Sequence, residues 1–194
     1  SLPVKRLSKS VEQGHFDVLF LMALQWIPQS MRSNVMQSSF YMITKNELYA
    51  LKENAINQAY FNDLRALTKV GVLGYSYHFA GYNTDAYYLS EEHSVSLTID
   101  EYNVVKMLLL KRANIGVLNS IAYQYFKDQK AFDMSLLYKS EIPDAVFDTH
   151  FLVNTQQSKI SASKIDAILN SSAIKFQIKS LLNKYGVSSS FNIE

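Results

Sequence analysis

The run from Gly14 to Ile27 is dominated by apolar side chains and closes on Pro28, which predicts a first helix. Ser30 to Ser38 is polar and reads as a loop, and Ser39 to Ile43 reads as a short strand. Thr44 and Glu47 have the spacing of a capping box, which opens a second helix from Lys45 to about Lys52. A third helix is expected from about Ala55 to Lys69. Its apolar positions Ile56, Tyr60, Leu64, Leu67 and Val70 recur at intervals of three and four, the mark of one buried stripe. Gly71 stands at the place of a helix C-cap. Two aromatic runs then flank a polar loop from Ala80 to Asp85. They read as a hairpin with strands Val72 to Phe79 and Ala86 to Ser90.

Beyond His93 the pattern is helical. Thr98 and Glu101 repeat the capping-box spacing and open a helix to about Arg112, with Tyr102, Val105, Leu108 and Leu109 inward. Asn114 to about Lys130 reads as a further helix. Between Ala131 and Thr155 the signal is mixed, with Pro143 starting a short helix, and Gln156 to Ser158 reads as a loop. Ser161 or Ser163 caps a last helical segment from about Lys164 to Tyr185, with Gly186 as its C-cap and a frayed serine-rich end. The division that follows is an arm over 1–13, a domain over 14–93, a helical region over 94–187 and a tail over 188–194.

The order helix, strand, helix, helix, strand, loop, strand over residues 14 to 90, with the run LRALTKVGVLGYSYHFAGYNTDAYYLS, resembles the winged helix-turn-helix family. The resemblance implies a mainly α fold with a small β-hairpin, an N-terminal winged helix followed by a helical C-terminal region. It implies a non-enzymatic, sequence-specific binder of double-stranded DNA, a transcriptional regulator of bacterial or mobile-element origin. On the third helix Asn57, Gln58, Asn62 and Arg65 would read base edges, because amides pair with adenine and guanidinium with guanine. Lys45, Lys69, Tyr82 and Asn83 would touch the phosphate backbone. The wing itself carries tyrosines, no lysine or arginine, and the repulsive Asp85, so a protein partner at the aromatic wing is the alternative. A plasmid or phage replication initiator is a narrower one. The apolar stripes of the C-terminal helices fit a homodimer, which would offset the modest charge.

Composition adds bounds rather than chemistry. The chain is 48% hydrophobic and 19% charged, enough to bury a core and unlike a disordered tail. A net charge of +2 and a pI near 8.6 permit a polyanionic partner without demanding one. There is no cysteine, which excludes disulfides, a thiol nucleophile and cysteine-ligated zinc, and fits a cytoplasmic protein. The apolar stretch Phe16 to Ile27 is shorter than the ~20 residues that span a bilayer, and no signal-peptide cleavage pattern follows it, so no membrane association is expected. His15, His78, His93 and His150 are scattered and lack metal-ligand spacing. No GxSxG, P-loop or GxGxxG run is present, so no catalytic residue, metal or cofactor is expected.

Overall fold

Where a loop, a short strand and a helix were expected in succession, a single 17-residue strand, β2 (Val35–Leu51), runs unbroken. The computed structural model describes residues 9–185 and 187–189. Along β2, Phe40, Met42 and Thr44 are buried in alternation, and every residue from Asn46 to Leu51 is buried. A strand covered on both faces shows no period of two, so Asn46–Leu51 presents a solid run that imitates a buried helix. The Thr44–Glu47 capping box does not form. The Glu47 carboxylate instead accepts from the Tyr49 hydroxyl (2.5 Å) and the Lys139 ammonium (3.1 Å).

The chain folds as two compact units, 1–44 with 147–194, and 45–146. Both passages between them lie inside strands, β2 and β7 (Ala145–Asn154). The division expected at residue 93 falls inside the second unit.

In the second unit the strands β3 (Lys69–Val72), β4 (Val95–Thr98) and β5 (Ile115–Asn119) are parallel. The order is β2-β5-β3-β4, with β2 antiparallel to β5 and to the short β6 (Leu137–Lys139). Three helices connect them: α1 (Ala86–His93), α2 (Glu101–Leu109) and α3 (Ser120–Asp128). Tyr49, Val70, Val72, Val104, Val105, Leu108 and Leu118 form one buried cluster, and Leu48, Ala50, Tyr77, Leu89, Ile115 and Val117 form another. Gly116 lets α2 approach β5, since a β-carbon there would overlap Leu108.

The expected third helix is absent. Residues 57 to 66 form two short 3-10 turns, Gln58–Phe61 and Leu64–Ala66. The Asn57 and Asp63 side chains accept from the amides of Ala59 and Arg65, local bonds that compete with helix propagation. The supposed buried stripe breaks accordingly, and Ile56 is 84% exposed. The hairpin is absent too: Asp85 accepts from Tyr88 N and caps α1, so the second aromatic run is helical. The fold is mixed α/β, and the mainly α winged-helix expectation is overturned. The expected helix at 101 to 112 survives as α2, capped by Asp100 and burying Val104, Val105 and Leu108, while Tyr102 turns outward. The one expected at 114 to 130 divides into β5 and α3, with Asn119 as cap between them.

The first unit pairs β1 (Val18–Met22) antiparallel with β7, which lies beside β2. The helix expected over 14 to 27 is thus a strand and a 3-10 turn (Leu24–Trp26). Val11, Leu19, Ile27 and Leu152 form one buried cluster here. Helices α4 (Ala162–Leu169) and α5 (Ser172–Lys184) match the last expected segment, with Ser161 as the cap accepting from Lys164 N. Gly186, most of the serine-rich tail and most of the arm fall outside the described residues. Asp166 of α4 accepts from Ser39 N through both carboxylate oxygens (2.9 Å each) and from Phe40 N (3.3 Å), clamping helix to strand. Loss of a charge-assisted clamp of this kind costs about 1–3 kcal/mol. Asp166→Ala is therefore expected to lower the urea midpoint by that amount of stability with an unchanged m-value.

Candidate functional site

The chain leaves β3 for its neighbour β4, then returns past β3 to form β5 on the other side. Strand order thus reverses between β3 and β5, and in open α/β sheets ligands bind in the crevice outside the carboxyl ends of strands at such a reversal. Four segments of the second unit meet there. Leu73 to Tyr77 follow β3, Asn119 ends β5 and Ser120 follows it, Glu101 begins α2, and Asn46 pairs with Asn119 across β2 and β5.

The loop after β3 is fixed from three sides. The fully buried Tyr77 turns its hydroxyl back on β3, accepting from Val72 N (2.6 Å) and donating to Val72 O (2.9 Å). That hydroxyl occupies the space a β-carbon of residue 71 would need, which is why Gly71 stands in a strand. The Asp144 carboxylate accepts from His78 N (2.9 Å) and Phe79 N (3.1 Å), and the Asn46 amide donates to Ser76 O (3.4 Å). Burial raises the pKa of Asp144, while the two amides oppose that shift.

Glu101 and Tyr75 supply the chemistry. One carboxylate oxygen of Glu101 accepts from Asn119 N (3.3 Å). Burial lifts its pKa above the usual carboxylate value, the Asn119 amide pulls it back, and the neighbouring Asp100 charge adds to the rise. The Tyr75 hydroxyl is pushed up to about 12, first by burial and then by the Glu101 charge. The crevice therefore offers a phenol that stays neutral beside a carboxyl group whose charged form burial disfavours, a pairing that a cationic group would stabilise in that form.

The eight residues expected to touch DNA do not converge. Asn57 caps a 3-10 turn and Asn62 ends it. Gln58 bonds Lys139 O (3.0 Å) and Glu141 N (2.9 Å). Arg65 pairs with Asp63 at the surface (3.2 Å). Lys69 is buried in β3, its ammonium held by the carbonyls of Leu64 and Leu67 (2.6 Å each), and burial lowers its pKa. Lys45 is exposed on β2, Tyr82 adopts a left-handed φ of 62°, and Asn83 accepts from Asp85 N. No recognition helix exists to present them. Glu101, Asn119 and Tyr75 went unnoticed as a group, although the Asp100 and Asn119 caps are strand-to-helix signals that point to the carboxyl ends of β4 and β5.

No protein-family model matches the chain, and no curated protein sequence matches it. Solved structures do. A substrate-binding protein of an ABC uptake transporter from Streptococcus pneumoniae, with bound histidine, superposes with a TM-score of 0.68 at 13% identity, covering 95% of this chain and 73% of the other. The P235GK mutant of ArgBP from T. maritima gives 0.67 at 16% identity, covering 96% and 76%. The GluR0 ligand-binding core from Nostoc punctiforme, in complex with L-glutamate, gives 0.65 at 15% identity, covering 94% and 78%. The chain thus has the solute-binding-protein fold. These likenesses replace the winged-helix resemblance, and with it the reading as a regulator partnered with double-stranded DNA.

The latch on the β3 loop yields a stability test. Tyr77→Phe strands the amide of Val72, whose carbonyl keeps its bond from Tyr75 N (3.2 Å), and Gly71→Ala collides with the phenol. Each is expected to cost about 1–3 kcal/mol in denaturant titration, through an unsatisfied polar group in the first and overpacking in the second.

Proposed function

We propose that the crevice at the carboxyl ends of β3 and β5 binds a small solute bearing an ammonium group, of the amino-acid class, as a receptor without catalysis. The observation that carries the reading is Glu101, a carboxylate drawn into the reversal point of the parallel strands with Tyr75 beside it. The fold likeness to proteins described with histidine and glutamate supports the solute class. Titration calorimetry against the twenty amino acids tests it. At least one is expected to bind, and at a hundredfold excess over Kd to stabilise the fold by about 2.7 kcal/mol. Binding by none, or undiminished binding by Glu101→Gln, would contradict the reading.

The raised pKa of Glu101 gives the proposal a sign. Ligand pairing needs the carboxylate, so affinity is full above its folded pKa and is lost as pH falls through it, starting at a higher pH than for an ordinary glutamate. Folding without ligand runs the other way. The buried charge costs stability above the folded pKa, and that cost disappears below the unfolded value. Glu101→Gln is expected to raise the melting temperature of the ligand-free protein at pH 7 and to flatten the acid dependence of affinity. A variant that melts lower and retains the acid dependence would assign the pH effect to another group.

A further inference from the structure

Charge is unevenly spread in this chain. Residues 159–184 carry five lysines, at 159, 164, 175, 179 and 184, against the single carboxylate of Asp166, a net of +4. The chain totals +2, so everything outside this segment sums to −2. The charge of Asp166 is already counted in the +4, and its two oxygens accept from the amides of Ser39 and Phe40. Lys159, Lys164 and Lys184 are exposed.

The same segment exposes large apolar side chains. Phe176 is 75% exposed, Leu181 57%, Ile160 47% and Ile168 45%, all in the α4–α5 region of the first unit. The apolar stripe that anchors α5 is a different one: Leu182 is buried and Ile174 and Ile178 are half-buried. Phe176 and Leu181 therefore project outward among lysines rather than serving the core. Basic side chains around outward aromatic and aliphatic ones match a surface that is negative at its headgroups and apolar just beneath.

We propose that the α4–α5 face is a contact site for an anionic lipid bilayer. Lysines 159, 164 and 184 meet the headgroups while Phe176 and Leu181 enter the acyl boundary, so the chain lies on the membrane without crossing it. An acidic protein would satisfy the lysines, but it gives no role to apolar groups spread over an open helical surface.

The test is flotation of the full chain with vesicles of phosphatidylcholine alone and of phosphatidylcholine with about 30% phosphatidylglycerol. Binding is expected to be at least tenfold stronger to the anionic vesicles at low salt and to fade toward 0.5 M NaCl, a concentration of about three times physiological ionic strength. The triple variant K159E/K164E/K184E is expected to lose at least tenfold, and F176S/L181S to weaken binding while keeping its salt dependence. Melting curves matching the parent protein establish that these surface variants fold. Equal binding to both vesicle types, or none to the anionic ones, would overturn the proposal independently of any variant. Binding to poly-glutamate as strong as to the vesicles, and indifferent to F176S/L181S, would assign the face to an acidic protein and overturn it as well.

Discussion

The Tyr77 phenol closing on Val72 is the contact on which the second unit's site depends. One hydroxyl accepts from the amide of a buried residue at the end of β3 and donates to its carbonyl, which also accepts from Tyr75 N (3.2 Å). The bond requires a glycine at 71 and a sharp return of the chain over Leu73 to Tyr75, with Gly74 at a φ of 88°. It therefore fixes where Tyr75 and Ser76 stand. Asp144 then secures the next turn through two amides, so the loop after β3 is rigid by hydrogen bonding. A rigid loop at a strand-order reversal is the condition for a preorganised small-molecule site.

Within that frame Glu101 is the group whose chemistry is unfinished. Its bond to Asn119 N uses one oxygen, and its surroundings disfavour the bare charge. A cationic ligand would remedy the deficit, whereas a structural carboxylate such as Asp166 accepts from backbone amides through both oxygens. The two carboxylates illustrate how hydrogen-bond completeness separates a clamp from a site. The lysine-rich α4–α5 segment, by contrast, is an exposed feature of the first unit.

Some of the fold was legible in the sequence, and the reasons are specific. α2, α4 and α5 announced themselves because Asp100 and Ser161 cap amphipathic runs whose stripes are real. The second half of β2, and β5, carry a helix-like pattern because strands covered on both faces give buried runs without alternation, whereas the strand at Ser39–Ile43 is legible. Residues 55 to 69 have a helical spacing of apolar positions, yet Asn57 and Asp63 satisfy the backbone locally and divide the segment into turns. The tyrosines that suggested a wing are split between a buried latch, Tyr77, and a capped helix, α1. The candidate site stayed hidden because Asn46, Tyr75, Glu101 and Asn119 are far apart in the chain, and it takes the pairing of β5 with both β2 and β3 to bring their segments together.

The central claim is that a small solute occupies the crevice between the carboxyl ends of β3 and β5. Amide chemical-shift mapping of the isotope-labelled chain, titrated with whichever amino acid binds, examines it most directly. The largest saturable shifts are expected at Tyr75, Ser76, Glu101, Asn119 and Ser120. Saturable shifts that leave those five residues unchanged and cluster elsewhere would contradict the claim.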